Sequence, residues 1–554
     1  MSKPLRACLT VICTLILSRA ATEAAQDPKT TALDTITADG IAAHVKVLAS
    51  DEYEGRMPAT RGEEKTLAYI TGQLRSLGIS PQPNGSYLQD VPLVKKTIQP
   101  DATHLVVRSK HKEIALVLGE NVGAKTAGAV ERVSIKKSDL VFVGFGIVAE
   151  SQGWDDYQGV DVKGKTVVAL IQDPRGAADS LYFKGRALSH FGTGLQKSEV
   201  AARHGARGVI FIHDQDAVGY PFAALAAGAK RSNFERVRGR DSAPLPEFAL
   251  TISKDVATEL FASVGHDYAE LVAAASQKDF RAFALGASLS GEIATKLEYS
   301  TSHNVVGYIP GRTRPDEYVL YTAHWDHVGI GKAVDGDSIY NGAIDNATGT
   351  AALLELAQAY RALPQACARS VVFIATTAEE QGLLGSYHYA DHPVFPLANT
   401  IGVINMDALF PFGDFNGMTV VGLGSSELEE YLSAAAKEMG RTLLPDPTPE
   451  YGAFFRSDHY PFAKKGVPAI FAVGGPLDDP PPPEEMSKRF DDYMKAGYHH
   501  PSDEYRDDWD LRGIVGDVKI YFLTGYAIAN DARVPNWYAT SEFRALRDHM
   551  RASP

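Results

Sequence analysis

The spacing of apolar residues predicts helices near the start of the chain. Residues 35–50 and 60–79 both repeat apolar residues with helical periodicity. In the second of these segments one face carries Leu67, Ile70, Leu74 and Leu77. Gly78 is a typical helix stop signal, and the pattern over 85–94 then predicts a strand.

The pattern changes between residues 126 and 295. Short runs of β-branched residues, separated by glycine and aspartate, predict strands at 139–148, 165–173 and 208–214. Residues 198–212 indicate a helix that leads into one of these strands. This part of the chain therefore predicts a compact domain rich in strands, and it shows no obvious catalytic cluster.

From residue 296 onward, predicted strands and helices alternate. The strands are predicted at 304–311, 317–327, 370–380, 400–408, 418–424 and 467–475, and the helices at 347–363, 382–392 and 426–440. Such alternation predicts an α/β domain with a mostly parallel central sheet flanked by helices. Ligands of such sheets bind outside the carboxyl ends of the strands, so the polar residues at those ends are the first to consider.

Composition says little about the fold but limits the possible binding partners. The chain has 554 residues, of which 45% are hydrophobic and 22% charged, as in ordinary globular proteins. Its formal net charge of −13 argues against nucleic acid or an anionic membrane surface as a partner.

The first 25 residues have the pattern of a signal peptide. Lys3 and Arg6 precede an apolar run over 7–17, and small residues follow at 20–25. We therefore expect an exported protein, periplasmic or secreted, with no stable membrane anchor after cleavage, although an uncleaved anchor is the alternative. Cys367 would be the only cysteine left, so we expect no intrachain disulfide and a buried thiol at that position.

Almost every predicted strand of the last part of the chain ends in a residue that can bind a metal. The strand-end residues are His324, Asp326, Glu379, Glu380 and Asp407. Asp345 comes just before a predicted helix, and the adjacent His499 and His500 follow the last strand. The strand-end rule brings these distant positions to one edge of one sheet.

The residue types suit a hydrolytic zinc site. Zinc takes His nitrogen and carboxylate oxygen, and a pair of metals needs a carboxylate that bridges them. Taken alone, each residue also fits a structural role: Asp345 as a helix N-cap, the two glutamates as a solvated helix start, Asp407 as a turn residue. The whole array favours a metal site over these separate explanations.

The motifs around these residues resemble the M28 family of zinc aminopeptidases, with an inserted protease-associated (PA) domain. The matching stretches are "AHWDH", "GAIDNATG", "EEQGLLGS", "NMD", "RSDHYPFAKKGVPAI" and "YHHPSD". The resemblance implies a discontinuous peptidase domain at 26–125 and 296–540, a PA-like domain at 126–295 and a C-terminal tail at 541–554. The PA assignment depends only on the strand-rich pattern of this segment and on its position in the chain.

The resemblance also implies a role for each site residue. One zinc ion would be bound by His324 and Asp407 and a second by Glu380 and His499, while Asp345 bridges the two. Glu379 would be the general base. Asp326 would accept a hydrogen bond from the other ring nitrogen of His324, and His500 would not be a ligand. The peptide bond after Asp345 is often cis in this family.

The implied activity is removal of the N-terminal residue from peptides with a free N-terminus. Glu379 would take a proton from a water that the metals acidify and return one to the leaving amine. A non-catalytic binding or receptor-like ectodomain is the alternative from another class. Carboxypeptidase and glutaminyl cyclase activities are the alternatives within enzymes.

The residues that bind the substrate are less well defined by the sequence. Some family members use a tyrosine shortly before S-D-H to stabilise the oxyanion, but here the closest positions carry Phe454 and Phe455. Tyr451 or His459 could substitute, or the metals could suffice. Nearby aromatic residues could line an apolar pocket or belong to the core: Phe410, Phe412, Phe454, Phe455 and Phe471. Residues 474–497 could form a rim over the site or a solvated loop.

Overall fold

The computed structural model describes residues 28–174, 183–239, 242–477 and 482–552. The predicted signal peptide lies outside the described residues, as do 478–481 of the predicted rim and the last two residues of the predicted tail. The strands of the described part are β1 (Ser80–Pro81), β2 (Leu88–Ile98), β3 (His104–Arg108), β4 (Glu113–Leu116), β5 (Val122–Thr126), β6 (Arg132–Phe142), β7 (Val148–Ala149), β8 (Trp154–Asp155), β9 (Thr166–Leu170), β10 (Gly208–His213), β11 (Asn233–Arg236), β12 (Phe248–Ser253), β13 (Phe283–Ile309), β14 (Arg314–His324), β15 (Gly329–Val334), β16 (Asp337–Tyr340), β17 (Arg369–Thr376), β18 (Thr400–Asn405), β19 (Gly417–Val421), β20 (Thr442–Pro445) and β21 (Ala469–Gly475).

The α-helices confirm the helical periodicities read from the sequence. Within the described ranges they are α1 (Pro28–Asp34), α2 (Ala38–Leu48), α3 (Arg61–Ser76), α4 (Gly194–Arg203), α5 (Gln215–Val218), α6 (Phe222–Gly228), α7 (Lys254–Ser263), α8 (Tyr268–Ala275), α9 (Thr348–Ala362), α10 (Leu384–Asp391), α11 (Leu428–Glu438), α12 (His459–Lys464), α13 (Glu484–Ala496), α14 (Arg512–Asn530) and α15 (Arg544–Ala552). None of them is long and apolar enough to span a membrane.

The larger sheet, sheet A, is mixed at its edges and parallel at its centre. Its strand order is β11–β2–β13–β17–β14–β18–β21–β19–β20, with β1 beside the end of β13. The four neighbours β17, β14, β18 and β21 run parallel. Strands β17 and β18 are buried along their whole length and β14 from Tyr318 onward, which explains their continuous apolar runs.

The smaller sheet, sheet B, has the order β4–β3–β13–β6–β9–β10–β12–β5. The long strand β13 joins the two sheets. Its first half pairs with β3 and β6 as far as Ala294, and from Thr295 onward it pairs with β2 of sheet A. The chain therefore passes from one sheet to the other without a linker.

Strand pairing divides the chain differently from the composition. Strands β3 to β5, which the prediction assigned to the peptidase part, pair within sheet B, while β11 pairs with β2 of sheet A. We call residues 104–294 the insert. Its β11 segment thus extends sheet A. The unpaired backbone groups of an edge strand can pair with any neighbouring strand, and local composition does not identify that partner.

Helices cover both faces of sheet A. On one face α1, α2, α3, α9, α11 and α14 share a core with the sheet. On the other face α10 and α12 pack with Trp537 and Phe543 from the C-terminal segment. Cys367 is buried in the first core, as expected for a structural thiol. Both layers leave free the carboxyl edge of the parallel strands, where the candidate site lies.

Candidate metal centre

The parallel strands carry the predicted ligands to one edge. His324 is the last residue of β14, and its register partner in β17 is Thr376, three residues before Glu379. Thr322 of β14 pairs with Asn405 of β18, two residues before Asp407. Parallel register therefore places the three strand ends side by side, and it does so for residues up to 83 positions apart.

The first group of ligand atoms surrounds His324. Its Nε2 lies 3.1 Å from Asp407 Oδ1, 3.3 Å from Asp345 Oδ1 and 3.9 Å from Glu379 Oε2. His324, Glu379 and Asp407 each have one possible metal-ligand atom here, and these three atoms lie within 4.8 Å of one another. Glu379 is the most distant of the three carboxylates from the imidazole.

The second group surrounds Glu380. Its Oε2 lies 2.9 Å from His499 Nε2, and its Oε1 lies 2.7 Å from His327 Nδ1. Asp345 Oδ2 lies 3.2 Å from His499 Nε2, so the two oxygens of Asp345 contact the two groups separately. This is the geometry of a bridging carboxylate, and the peptide bond from Asp345 to Asn346 is cis, as the family resemblance implied.

The electrostatics of this cluster favour cations. Burial opposes charge on His499, but hydrogen bonds to Asp345 and Glu380 raise the pKa of its imidazole to about 10. Burial raises the pKa of Glu379 well above its usual range, with only partial opposition from His324. Protonated histidines supply the positive charge that the packed carboxylates require. Divalent metal ions at the same points would supply it more strongly.

Hydrogen bonds fix the orientation of the ligands. The carboxylate of Asp503 accepts the backbone N–H groups of Ile344 at 2.9 Å and Asp345 at 3.1 Å, and burial raises the pKa of this carboxyl to about 6. Ser457 Oγ donates to Asp407 Oδ2 at 2.6 Å. Such outer contacts hold metal ligands in place and tune their affinity.

Asp326 differs in detail from its expected role. The Nδ1 atom of His324 lies 3.1 Å from the backbone oxygen of Asp326, while the Asp326 carboxylate is 3.8 Å away. That carboxylate instead accepts the backbone N–H of Glu379 at 3.0 Å. The tautomer of His324 is therefore set by a carbonyl, because Asp326 turns its side chain toward the strand that carries the predicted base.

Unusual backbone conformations adjoin the ligands. Ala378 has φ +53°, Ala408 has φ +54° and His499 itself has φ +53°. Non-glycine residues rarely adopt this left-handed region, which costs roughly 1 kcal/mol or more and occurs preferentially at functional sites. Each of the three residues is a predicted ligand or the direct neighbour of a predicted site residue.

Sequence reasoning missed three residues of the centre. His327 contacts Glu380, and the ring of Tyr498 stacks on that of His499 with 3.9 Å between centroids. Arg56 is 1% exposed and donates hydrogen bonds to the backbone oxygens of Leu48, Trp325, Asn341 and Gly342. The second histidine of "AHWDH" and the tyrosine before "HHP" were available signals, whereas nothing in the sequence linked Arg56 to the site.

The predicted substrate-binding residues lie in different surroundings. The ring of Tyr451 packs against the insert, where a Cβ added at Gly219 would be 2.6 Å from it. Phe454 is buried, with its ring 4.6 Å from that of His459. His459 is itself fully buried, burial lowers its pKa to about 3, and neither ring nitrogen has a hydrogen-bond partner within the described ranges. These are the surroundings of core residues for Phe454 and His459.

The predicted rim is partly helical. Helix α13 spans Glu484–Ala496 and ends just before Tyr498. Its Phe490 contacts Phe410 and Phe412, each at 4.9 Å between ring centroids. The phenylalanines after Asp407 thus anchor this helix beside the metal centre.

Part of the chain is similar to a known peptidase family. Residues 304–523 match the model of peptidase family M28. The aminopeptidase from Aneurinibacillus sp. strain AM-1 shares the fold, with a TM-score of 0.50 and 19% identity over 91% of this chain and 97% of that one.

Two curated relatives are similar over shorter stretches. Aminopeptidase NAALADL1 from Mus musculus is 31% identical over 162 residues, which is 28% of this chain and 20% of that protein. The glutamate carboxypeptidase 2 homolog from Caenorhabditis elegans is 32% identical over 212 residues, which is 36% of this chain and 25% of that protein. The chain therefore matches only a fifth to a quarter of the length of these relatives.

Proposed function

We propose that this protein is a metallo-aminopeptidase with two zinc ions that hydrolyses the N-terminal peptide bond of peptides. The observation that carries the proposal is the position of Asp345, whose two oxygens contact His324 and His499 at 3.3 and 3.2 Å. One carboxylate therefore contacts a histidine of each proposed ligand set. The donor set of imidazole and carboxylate groups is the one that zinc prefers.

The proposed ligands follow from these contacts. His324 and Asp407 would hold one ion, Glu380 and His499 would hold the other, and Asp345 would contact both. When bound, zinc lowers the pKa of a coordinated water to near neutrality and polarises the carbonyl to be attacked. Buried carboxylates of this number are costly without such compensation, which supports a cation at each set.

The residues of the chain supply the proton transfers. Glu379 lies beside the first ligand set without a hydrogen bond to His324, so its carboxylate is free to take a proton from water and give it to the leaving amine. Tyr498 lies beside His499, and burial raises the pKa of its hydroxyl, which therefore stays protonated and can donate to the developing oxyanion.

The aminopeptidase assignment can be tested with blocked peptides. Leucine p-nitroanilide and a leucyl peptide with an amidated C-terminus are expected to be hydrolysed, whereas an N-acetylated peptide with a free C-terminal carboxylate is not. Metal analysis of the same sample is expected to give two zinc ions per chain. Hydrolysis of only the N-acetylated peptide would indicate a carboxypeptidase. A sample that holds less than one zinc and cleaves nothing would support a binding protein on this scaffold.

We also propose that the protein is exported. The support is the basic and apolar pattern of residues 1–25. N-terminal sequencing of the protein from the periplasm or medium is expected to find a start near residue 26. An unprocessed N-terminus in the cytoplasm would contradict the proposal.

A further inference from the structure

The predicted base and a predicted ligand lie in one short loop. Glu379 and Glu380 stand between β17, which ends at Thr376, and α10, which begins at Leu384. Both oxygens of Glu380 contact histidines, at 2.7 and 2.9 Å. Glu379 lies 3.9 Å from His324, and among the described residues its carboxylate accepts no hydrogen bond. The position of this carboxylate therefore depends on the backbone of the loop.

The loop has a tight and unusual backbone. The carbonyl of Glu379 accepts the N–H groups of Gly382 at 2.8 Å and Leu383 at 2.9 Å. Ala378 has φ +53° and Leu383 has φ +61°. Residues other than glycine rarely adopt this region, and such a backbone persists only where the surrounding structure holds it. Contacts from outside the loop are therefore needed to keep its form.

Strand β11 of the insert supplies such a contact directly after the two glutamates. The N–H of Phe234 donates to the side-chain oxygen of Gln381 at 3.2 Å. The N–H of Val237, three residues further on, donates to Pro92 of β2 at 2.9 Å, so the N–H of Phe234 points away from β2. Because β11 is the edge strand of sheet A, that N–H has no partner within the sheet, and Gln381 satisfies it from the loop.

Side chains of β11 support the same segment. The ring of Phe234 is buried in a small core with Ala378 and Leu384, which lie before and after the two glutamates. Further along the strand, Arg236 pairs with Asp391 of α10 at 2.7 Å. The insert therefore contacts this segment before the glutamates, directly after them and along the following helix.

We propose that Gln381 is a positioning residue, which holds the loop so that the carboxylate of Glu379 stays within reach of the reacting water. Through this residue the insert takes part in catalysis, although none of the proposed ligands lies in it. The inference rests on the proposed role of Glu379 as general base. Gln381 acts on Glu379 more than on Glu380, because Glu380 is held by its own contacts with two histidines.

A double-mutant cycle tests the inference. Gln381→Met keeps the length of the side chain but removes the acceptor oxygen. The net contribution of one hydrogen bond corresponds to about 2- to 12-fold, and a misplaced base adds to the loss, so kcat for leucine p-nitroanilide should fall about 10-fold. KM and zinc content should stay unchanged. In the Glu379→Gln background the same substitution should lower kcat by less than about 2-fold, because the base is already absent.

Two further variants serve as controls. Gln381→Glu keeps an acceptor oxygen at the same place and should restore most of the rate. Gln358→Met removes a similar hydrogen bond, from the side chain of Gln358 on α9 to the Thr35 carbonyl at 3.0 Å, and should leave kcat unchanged. Unchanged kcat in Gln381→Met, an equal fall in both backgrounds, or an equal effect of Gln358→Met would overturn the inference. Loss of zinc from Gln381→Met would also overturn it, since that loss would show an effect on the ligand Glu380.

Hydrogen exchange tests the contact without any substrate. The amide groups of residues 377–391 should exchange faster in Gln381→Met than in the wild type or in Gln358→Met, because the segment then opens more easily. Unchanged exchange would overturn the inference. Failure of the wild type to cleave leucine p-nitroanilide or any other aminoacyl substrate would instead refute the aminopeptidase proposal, and the exchange would still show whether Gln381 holds the loop.

Discussion

The adjacent residues Glu379 and Glu380 provide the sharpest test of the proposed centre. Both oxygens of Glu380 are engaged, at 2.7 Å with His327 and 2.9 Å with His499. The nearest contact of Glu379 to His324 is 3.9 Å, which is too long for a hydrogen bond. Glutamine has the shape of glutamate without its charge, so the two substitutions to glutamine separate the base from the ligand.

We expect Glu379→Gln to keep both metals and lose turnover. A general base contributes about 10²- to 10⁴-fold, which corresponds to roughly 2.7–5.5 kcal/mol of activation free energy. Glu380→Gln removes a negative ligand whose two oxygens both hold histidines. We expect this variant to lose the metal of the second ligand set.

The assay combines zinc analysis of gel-filtered protein with steady-state hydrolysis of leucine p-nitroanilide. The base assignment predicts full zinc and a fall in kcat for Glu379→Gln, with less zinc for Glu380→Gln. Near-normal turnover of Glu379→Gln would remove Glu379 from the role of base. Equal zinc loss in both variants would show that Glu379 is a ligand.

Three further predictions follow from named contacts. His499→Ala should lose one zinc in metal analysis. His500→Ala should keep both, because the ring of His500 forms a hydrogen bond with Ser502 Oγ at 2.8 Å. The reverse result would show that His500, and not His499, is the ligand. Asp503→Asn should weaken zinc binding by about 10- to 100-fold in a chelator competition, since its carboxylate holds the backbone on which the bridging residue sits; unchanged affinity would contradict this. Burial raises the pKa of Glu355 to about 7, above its unfolded value near 4.5, so the folded state loses stability as pH rises between these values, on the order of 3 kcal/mol in all. Glu355→Gln should therefore raise the melting temperature at pH 8 and not at pH 4, and an equal change at both pH values would refute this explanation.

Much of the centre could be predicted because its residues stand at strand ends. Apolar runs marked β14, β17 and β18, and the polar residues that follow them had to meet at one edge of a parallel sheet. His327 was missed because it follows another histidine and aspartate in a motif that already supplied a ligand. Arg56 was missed because it lies 269 and 285 residues before Trp325 and Asn341 and contacts them only through their backbone carbonyls.

The limits of the two sheets could not be predicted for a related reason. Periodicity shows that a segment is a strand but not which strand it pairs with. The sequence predicted a strand only at 304–311, whereas β13 begins at Phe283 and pairs with sheet B up to Ala294 and with sheet A from Thr295. The same holds for β11, which lies in the insert by sequence position and in sheet A by hydrogen bonding.

The sequence by itself determined the class of the fold and the chemistry of the ligands, because hydrophobic periodicity and strand-end residues are local properties of the chain. Tertiary structure alone decided that Asp326 turns toward Glu379 and that His327 contacts Glu380. These facts depend on distances between segments far apart in the chain, and such distances are set by the packing of the whole molecule.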